Sequence, residues 1–391
     1  MRRGGRVPRI ALGAVAAALA HPSVSAAQVP VTSLGLGYPV PALDARSAAL
    51  GGSGIGLIGG SFSLLNPADI TAHAVPALHV TLAPEGIDVK RPGGSDPSGR
   101  SRFAVLSTIV PLGEWAFAGG FSSDLDQDWS ARFTDTLDTS FGRFPFEEVR
   151  ENDGGTSSVN LALARKIGRL SVGGGYGRVT GSLRQLVSRR FDPEAGSSIV
   201  TLAPFREDTR WTYSSWRLSG GAALSFGERF RASGVVEWSS DLTAEEDSTG
   251  VTRRFGMPLT VRFGGSALLS PRFLVTGTGG WAQWSRAVRG LQGVRAQNIT
   301  WGGVGVEYRG FGLGALDLPL RAGGRFTELP FFPRGRKQLR ETAVTFGLGG
   351  TVSGGRGAFD LGFEIGTRGE LARTGAEESF RRFSISITLR Q

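Results

Sequence analysis

The sequence predicts an all-β fold: an antiparallel transmembrane β-barrel of about 14 strands with an N-terminal plug (hatch) in its lumen. Three observations predict it. From about residue 76 onward apolar residues recur with period two, as strands require. The connections between these runs alternate strictly between tight turns and long polar segments, the pattern of a barrel with short turns on one side of a membrane and long loops on the other. The mean hydropathy of −0.05 excludes a bundle of transmembrane helices but suits strands whose two faces differ. A soluble sandwich or solenoid is the alternative, and it has no reason to gather its long loops at one end.

Residues 1–27 read as a secretory signal peptide. Arg2, Arg3, Arg6 and Arg9 form a positive start, Ile10 to Ala20 is apolar on every side, and HPSVSAAQ places small residues for cleavage after Ala26 or Ala27. Loss of these arginines lowers the formal charge from +10 to +6. No cysteine follows the apolar stretch, which excludes a lipid anchor. The expected location is an outer membrane, with both termini in the periplasm.

Residues 28–75 break the strand pattern and read as the plug. ARSAALGGSGIGLIGGSFSLLNPADIT is glycine-rich, has helix-like spacing between Ala45 and Leu50, and reaches Asn66-Pro67-Ala68 near its end. It is too apolar for a periplasmic tail and too short for a domain.

Residues 76–391 read as the barrel, with strands at 77–90, 101–111, 115–125, 156–166, 169–180, 210–225, 229–240, 257–269, 272–285, 297–309, 316–327, 341–352, 358–368 and 380–390. The clearest is FDLGFEIGTRG, where Phe359, Leu361, Phe363 and Ile365 oppose Asp360, Gly362, Glu364 and Arg368. Tight turns fall near Pro111, Gly168, Gly227, Pro271, Gly312 and Gly354; long connections are expected at 91–100, 126–155, 181–209, 241–256, 286–296, 328–340 and 369–379. Trp211, Trp238, Trp281, Trp284 and Trp301 fall near strand ends that meet long loops, and Trp115 lies beside a tight turn, as an interfacial girdle would place them.

If apolar residues face lipid, the alternate ones face the lumen. They include Arg321, Arg325, Glu341, Asp360, Glu364, Arg368, Arg382 and Arg390, either a structural ion-pair network or a guide for an anionic head group. Gly173, Gly175, Gly177, Gly303, Gly305, Gly347 and Gly349 fall on the same face, either leaving room for something to pass or be inserted, or relieving crowding where strands bend.

Composition narrows the function. With no cysteine, and with His21, His73 and His79 as the sole histidines, thiolate chemistry is excluded and a multi-histidine metal site nearly so; no metal or other cofactor is expected. Of the 44 basic residues all but Lys90, Lys166 and Lys337 are arginine, spread along the chain rather than concentrated, so no nucleic-acid partner is expected. No nucleophile-elbow motif accompanies His73 or His79, and the glycines sit in strands rather than before a helix, so neither a lipase nor a phosphate loop is indicated.

Ala45 to Gly56 followed by Asn66-Pro67-Ala68 resembles the N-terminal hatch of the FadL family of outer-membrane long-chain fatty-acid and hydrocarbon transporters. LPLRAGGRFTELPF, RETAVTFGLGG, FDLGFEIGTRG and ESFRRFSISITL resemble the last four strands of that superfamily, while the middle of the chain matches only in layout. One departure is the terminus Leu389-Arg390-Gln391, where such barrels usually end on an aromatic residue. The resemblance implies passive uptake of a hydrophobic small molecule captured between outer loops. The candidates for capture, within 181–209 and 241–256, are Leu183, Leu186, Val187, Phe191, Ile199, Leu202 and Phe205. It also implies a kink in the third strand, for which Gly119 and Gly120 are the candidates. Outer-membrane lipid is the expected surrounding. A sister group, the shuttle barrels of the type IX secretion system, shares these motifs and implies a partner-binding barrel instead.

Overall fold

A computed structural model describes residues 31–91, 94–101, 103–139, 142–192, 202–291, 293–313, 316–371 and 377–391; the expected signal peptide lies outside them. The last strand shows why the sheet forms. Phe383, Ile385, Ile387 and Leu389 are 44–58% exposed, while Arg382, Ser384, Ser386 and Thr388 are at most 7% exposed. That inverts the pattern of a soluble protein, where large apolar faces are covered. The same apolar outer face recurs around the ring, from Leu106 and Phe117 through Leu161, Phe263 and Val304 to Phe346.

Fourteen antiparallel strands close the barrel. They are β1 (Ala77–Leu82, continuing as Glu85–Arg91), β2 (Gly94–Arg100, continuing as Phe103–Leu112), β3 (Trp115–Asp126, extended by Trp129–Thr139), β4 (Gly142–Ile167) and β5 (Leu170–Phe191). Then come β6 (Phe205–Phe226), β7 (Phe230–Ser239, extended by Leu242–Glu246), β8 (Thr260–Ser270, preceded by Thr252–Phe255), β9 (Phe273–Ala282) and β10 (Ile299–Tyr308). β11 (Leu320–Glu328), β12 (Arg340–Val352), β13 (Gly357–Gly369) and β14 (Glu377–Arg390) complete the ring. Each strand pairs with its chain neighbours, and β14 returns to β1 in the register Ala77↔Arg390 to Leu82↔Ile385. Among the described residues the ring itself therefore has no edge strand.

Expectation and structure differ above the membrane. Segments 126–155, 181–209 and 241–256, expected as loops, are largely strand: β4 pairs with β5 as far as Phe146↔Phe191, β5 with β6 as far as Arg189↔Phe205, and Leu242–Glu246 with Thr252–Phe255. Beyond Val159 the outward positions of β4 run Ser157, Gly155, Asp153, Glu151, Val149 and Glu147, with one apolar residue among them. A strand crossing a bilayer needs only ~9–11 residues, so residues 157–167 cross and the rest rises clear of the lipid. Period two in apolarity finds only the crossing part. Within the segment 91–100, Gly94–Arg100 is likewise strand, paired with Glu85–Arg91 from Arg91↔Gly94 to Glu85↔Arg100.

Segment 31–75 lies in the lumen, tied by hydrogen bonds to inward side chains around the ring. The backbone N–H of Ala45 donates to Ser386 Oγ (2.9 Å), Thr345 Oγ1 to the Ala49 carbonyl (2.8 Å), Ser266 Oγ to the Gly56 carbonyl (2.7 Å) and Ser107 Oγ to the Phe62 carbonyl (2.9 Å). These side chains stand on β14, β12, β8 and β2.

Candidate functional site

The plug is built around two acidic residues that the sequence reading did not single out. Asp44 caps the short helix α1 (Ala45–Ala49), accepting from the Ser47 backbone N–H at 2.7 Å, as a helix start requires. Its other oxygen accepts from Ser61 Oγ (2.6 Å) and the Phe62 N–H (2.8 Å), folding the plug on itself. The Asn66-Pro67-Ala68 motif opens a 3₁₀ turn, Pro67–Ala72. Asn66 accepts from the Ala68 N–H at 3.0 Å, Pro67 fills the first position where a missing N–H costs nothing, and Ala68 is fully buried. Asp69, next in line, accepts from Arg231 Nη2 (3.0 Å) and Ser233 Oγ (2.7 Å) on β7, and from the Gly56 N–H (3.0 Å). The motif therefore anchors the plug to the wall.

The inward glycines explain how close that contact is. A Cβ at Gly173 would lie 2.7 Å from the Pro67 carbonyl carbon, at Gly305 2.6 Å from the Leu50 oxygen and at Gly347 2.5 Å from Ala49 Cβ; one at Gly303 would strike the Gly51 carbonyl. Of the two readings of these residues, room for an inserted segment is the one the geometry favours. Gly349 and Gly177 differ, since they sit against Asp360 with Arg321 and against Arg217.

Of the predicted lumen charges, Arg325, Arg368 and Arg382 interleave with Glu85, Glu341, Glu364 and Glu378 in one buried cluster, with Arg368–Glu85 and Arg382–Glu85 at 2.7 Å and Arg325–Glu341 at 2.5 Å. Tyr38 Oη donates to Glu341 at 2.9 Å and lies under the Arg368 guanidinium, 4.4 Å from its ring centroid, while the Thr32 N–H donates to Glu378 (3.0 Å). The cluster thus clamps the segment leading into the plug. Arg321 bridges Glu307 (2.8 Å) and Asp360 (2.7 Å), and Arg46 of α1 reaches Glu307 at 2.9 Å. Arg390 is half-buried at the tight-turn end.

Two cavities lie along the lumen. The first, about 270 Å³, rests on the plug at Leu43, Ile55 and Leu64 and is walled by Val179, Met257 and Trp301. The second, about 300 Å³, lies nearer the strand extensions, walled by Leu183, Trp211, Tyr213, Phe255, Gln185 and Arg253. One buried apolar cluster supplies walls to both, Val179 and Trp284 to the first and Leu36 and Trp211 to the second.

Trp211, Trp284 and Trp301 therefore face the lumen rather than the membrane interface. Trp115 and Trp238 face out at 42% and 39% exposure, and Trp281 takes an outward position. Nearness to a strand end does not fix a side chain's face; its parity within the strand does. The proposed capture residues do not form one patch. Leu183 walls the second cavity, Phe191 packs with Phe144, Phe146 and Leu202 at the tip of the extensions, and Val187 shares Leu183's face while Leu186 takes the opposite one. Phe205 opens β6, and Ile199 lies outside the described residues. At Gly119 and Gly120 of β3 both ladders run on without a register shift; the one shift in the β3–β4 ladder falls between Ser123 and Leu125. A Cβ on Gly120 would lie 2.9 Å from Leu64 of the plug, which gives this glycine a packing role.

The histidines brace the plug against β1. His79 is bonded to Thr388 and Thr81, both at 2.8 Å, and stacks on Phe62 with ring centroids 4.4 Å apart. His73 is bonded to the Ser61 carbonyl oxygen at 3.2 Å, and burial beside Phe62 pushes its imidazole down to about 4, neutral at ordinary pH. Among the described residues no group of three or more acidic or histidine side chains is placed to hold a metal.

No protein-family model and no curated protein matches the sequence. The fold does match solved structures. A FadL homologue of Pseudomonas aeruginosa aligns over 90% of this chain and 99% of its own, with 13% identity and a TM-score of 0.60. The Ralstonia pickettii toluene transporter TbuX aligns over 89% of this chain and 98% of its own, with 15% identity and a TM-score of 0.60. The Pseudomonas putida toluene transporter TodX aligns over 92% and 99%, with 15% identity and a TM-score of 0.56. The chain has the FadL-type fold.

Proposed function

We propose that the protein is an outer-membrane channel for passive uptake of hydrophobic small molecules, in the range from long-chain fatty acids to hydrocarbons. The observation that carries this reading is the buried apolar cluster that supplies walls to both cavities, so that apolar surface continues from the outer one to the inner one. The apolar outer face of the ring supports placing the barrel in lipid, and the solved transporters of the same fold support the choice of cargo. The strand extensions would then face the medium, and the tight turns and plug the periplasm. Native mass spectrometry of the gently extracted protein is the test: a bound apolar molecule, lost when Val179→Arg places a charge between the cavities, is expected. Ligand-free spectra from cells grown with abundant fatty acid and hydrocarbon would count against the reading.

A further inference from the structure

The first cavity has two unlike sides. Plug and wall residues such as Leu43, Leu64 and Trp301 make one side; the other carries Asp124, Arg217, Glu237 and Arg262, from β3, β6, β7 and β8. These four charges form a chain. Arg217 Nη2 lies 2.6 Å from Asp124 Oδ1, Arg217 Nη1 lies 3.8 Å from Glu237, and Arg262 Nη1 lies 3.3 Å from Glu237. The remaining charged lining residues are Arg325, already paired with Glu341 at 2.5 Å, and Glu328, within 3.5 Å of Arg340. Three guanidiniums and three carboxylates thus line the cavity, and each guanidinium is matched.

An anionic head group entering such a site finds no spare cation. It would have to displace Asp124 or Glu237 and leave that carboxylate buried without a partner, which is unfavourable in a low-dielectric space. A neutral polar group meets the opposite situation. Asp124 stands at the register shift of β3, and its Oδ2 is buried without a hydrogen-bond partner, as is Arg217 Nε. An alcohol O–H can donate to the first and a carbonyl can accept from the second, each satisfying an atom that otherwise costs free energy. Ser122, Asn160 and Ser219 add neutral polar groups on the same side.

We propose that this cavity selects neutral amphiphiles, an apolar body bearing one hydroxyl or carbonyl, over fatty-acid anions, with Asp124 and Arg217 as the residues that read the polar group. The proposal rests on the uptake reading above and narrows its cargo. It is tested on the full-length protein in lipid nanodiscs by quenching of Trp284 and Trp301 fluorescence, with empty nanodiscs as the blank. The ligands are 1-decanol, decanoate and decane at mildly alkaline pH. Decanol is expected to bind at least tenfold more tightly than decanoate. Asp124→Asn, which leaves Arg217 only its 3.8 Å contact with Glu237, is expected to weaken decanol several-fold and strengthen decanoate at least fivefold. Glu237→Gln, which frees Arg262, is expected to strengthen decanoate as well, and the heat-dependent electrophoretic shift of a folded barrel checks both variants. Decanoate binding as tightly as decanol to the parent protein, or folded variants with unchanged preference, would overturn the selectivity. If none of the three ligands binds, the uptake reading falls with it; if decane binds and decanol gains nothing over decanoate, the selectivity alone falls.

Discussion

The Asp69–Arg231 pair holds the plug to the wall by charge. Both side chains are 8% exposed, and the carboxylate also takes hydrogen bonds from Ser233 and Gly56. Arg231→Ala leaves that carboxylate buried and unmatched, a loss of ~3–5 kcal/mol for a buried pair broken on one side. A lower thermal midpoint and larger, noisier ion conductance in planar bilayers are therefore expected; an unchanged, quiet conductance would show that the plug does not depend on this contact. Glycine contacts give a cleaner steric test. Gly303→Val drives a side chain into the plug backbone, whereas Gly324→Val on β11 has only an ordinary contact at 3.7 Å. The first is expected to admit a small hydrophilic solute into proteoliposomes and the second is not. At this scale the sequence was partly legible. Asn66-Pro67-Ala68 stood out as a motif, yet its neighbour Asp69 and the cap Asp44 did not, because an acid three residues before a serine acquires meaning only once a helix is known to start there. The tryptophans near strand ends misled for a related reason, since Trp284 lies just past β9 in a 3₁₀ turn where strand parity no longer applies.

Among the elements, β3 to β6 divide into a membrane-crossing part and an outer part. The crossing parts carry the apolar alternation that marked them, and the outer parts are held by ladders, by the buried Arg189–Glu148 pair at 2.6 Å and by exposed ion pairs such as Arg143–Asp138 at 2.8 Å. Exposed pairs contribute little, with a median of ~0–1 kcal/mol, so the outer ladder is not expected to carry the barrel's stability. Replacing residues 134–147 by an Asn-Gly turn, which joins the paired residues Phe133 and Glu148 and keeps the buried Glu148–Arg189 pair, is expected to leave membrane insertion and the thermal midpoint unchanged. Failure of this shortened chain to assemble would show that the extensions nucleate the barrel. Their strand character was illegible for a physical reason: a strand with water on its outer face and no lipid to satisfy can alternate polar with polar, and Glu147, Glu151 and Asp153 leave no hydrophobic period to detect.

For the whole molecule, the apolar belt determines that the barrel lives in lipid, and the plug beneath two cavities determines what it can do there. Ile387 is 53% exposed on the lipid face of β14 and pairs across the closing seam with Val80. Ile387→Arg is expected to cost ~2–4 kcal/mol of folding free energy in bilayers, as a charge near the midplane does, measured by urea titration in vesicles; a negligible cost would place this face outside the hydrocarbon. The fourteen-strand ring was legible from period two, but the tight turn expected near Gly312 was not found: Gly312–Leu313 pairs with Leu316–Asp317 apart from the ring, and β11 starts at Leu320 rather than at 316. The cavities were not legible, because their walls draw on the plug and on strands far apart in the chain, such as Leu43, Val179 and Trp301. The central claim is that an apolar molecule passes this barrel without energy input. Its most direct test is the initial rate at which a fluorescent or radiolabelled hydrocarbon enters proteoliposomes, compared with protein-free liposomes and with Val179→Arg. Severalfold faster uptake is expected with the parent protein alone; equal rates in all three preparations would overturn passive passage through the barrel.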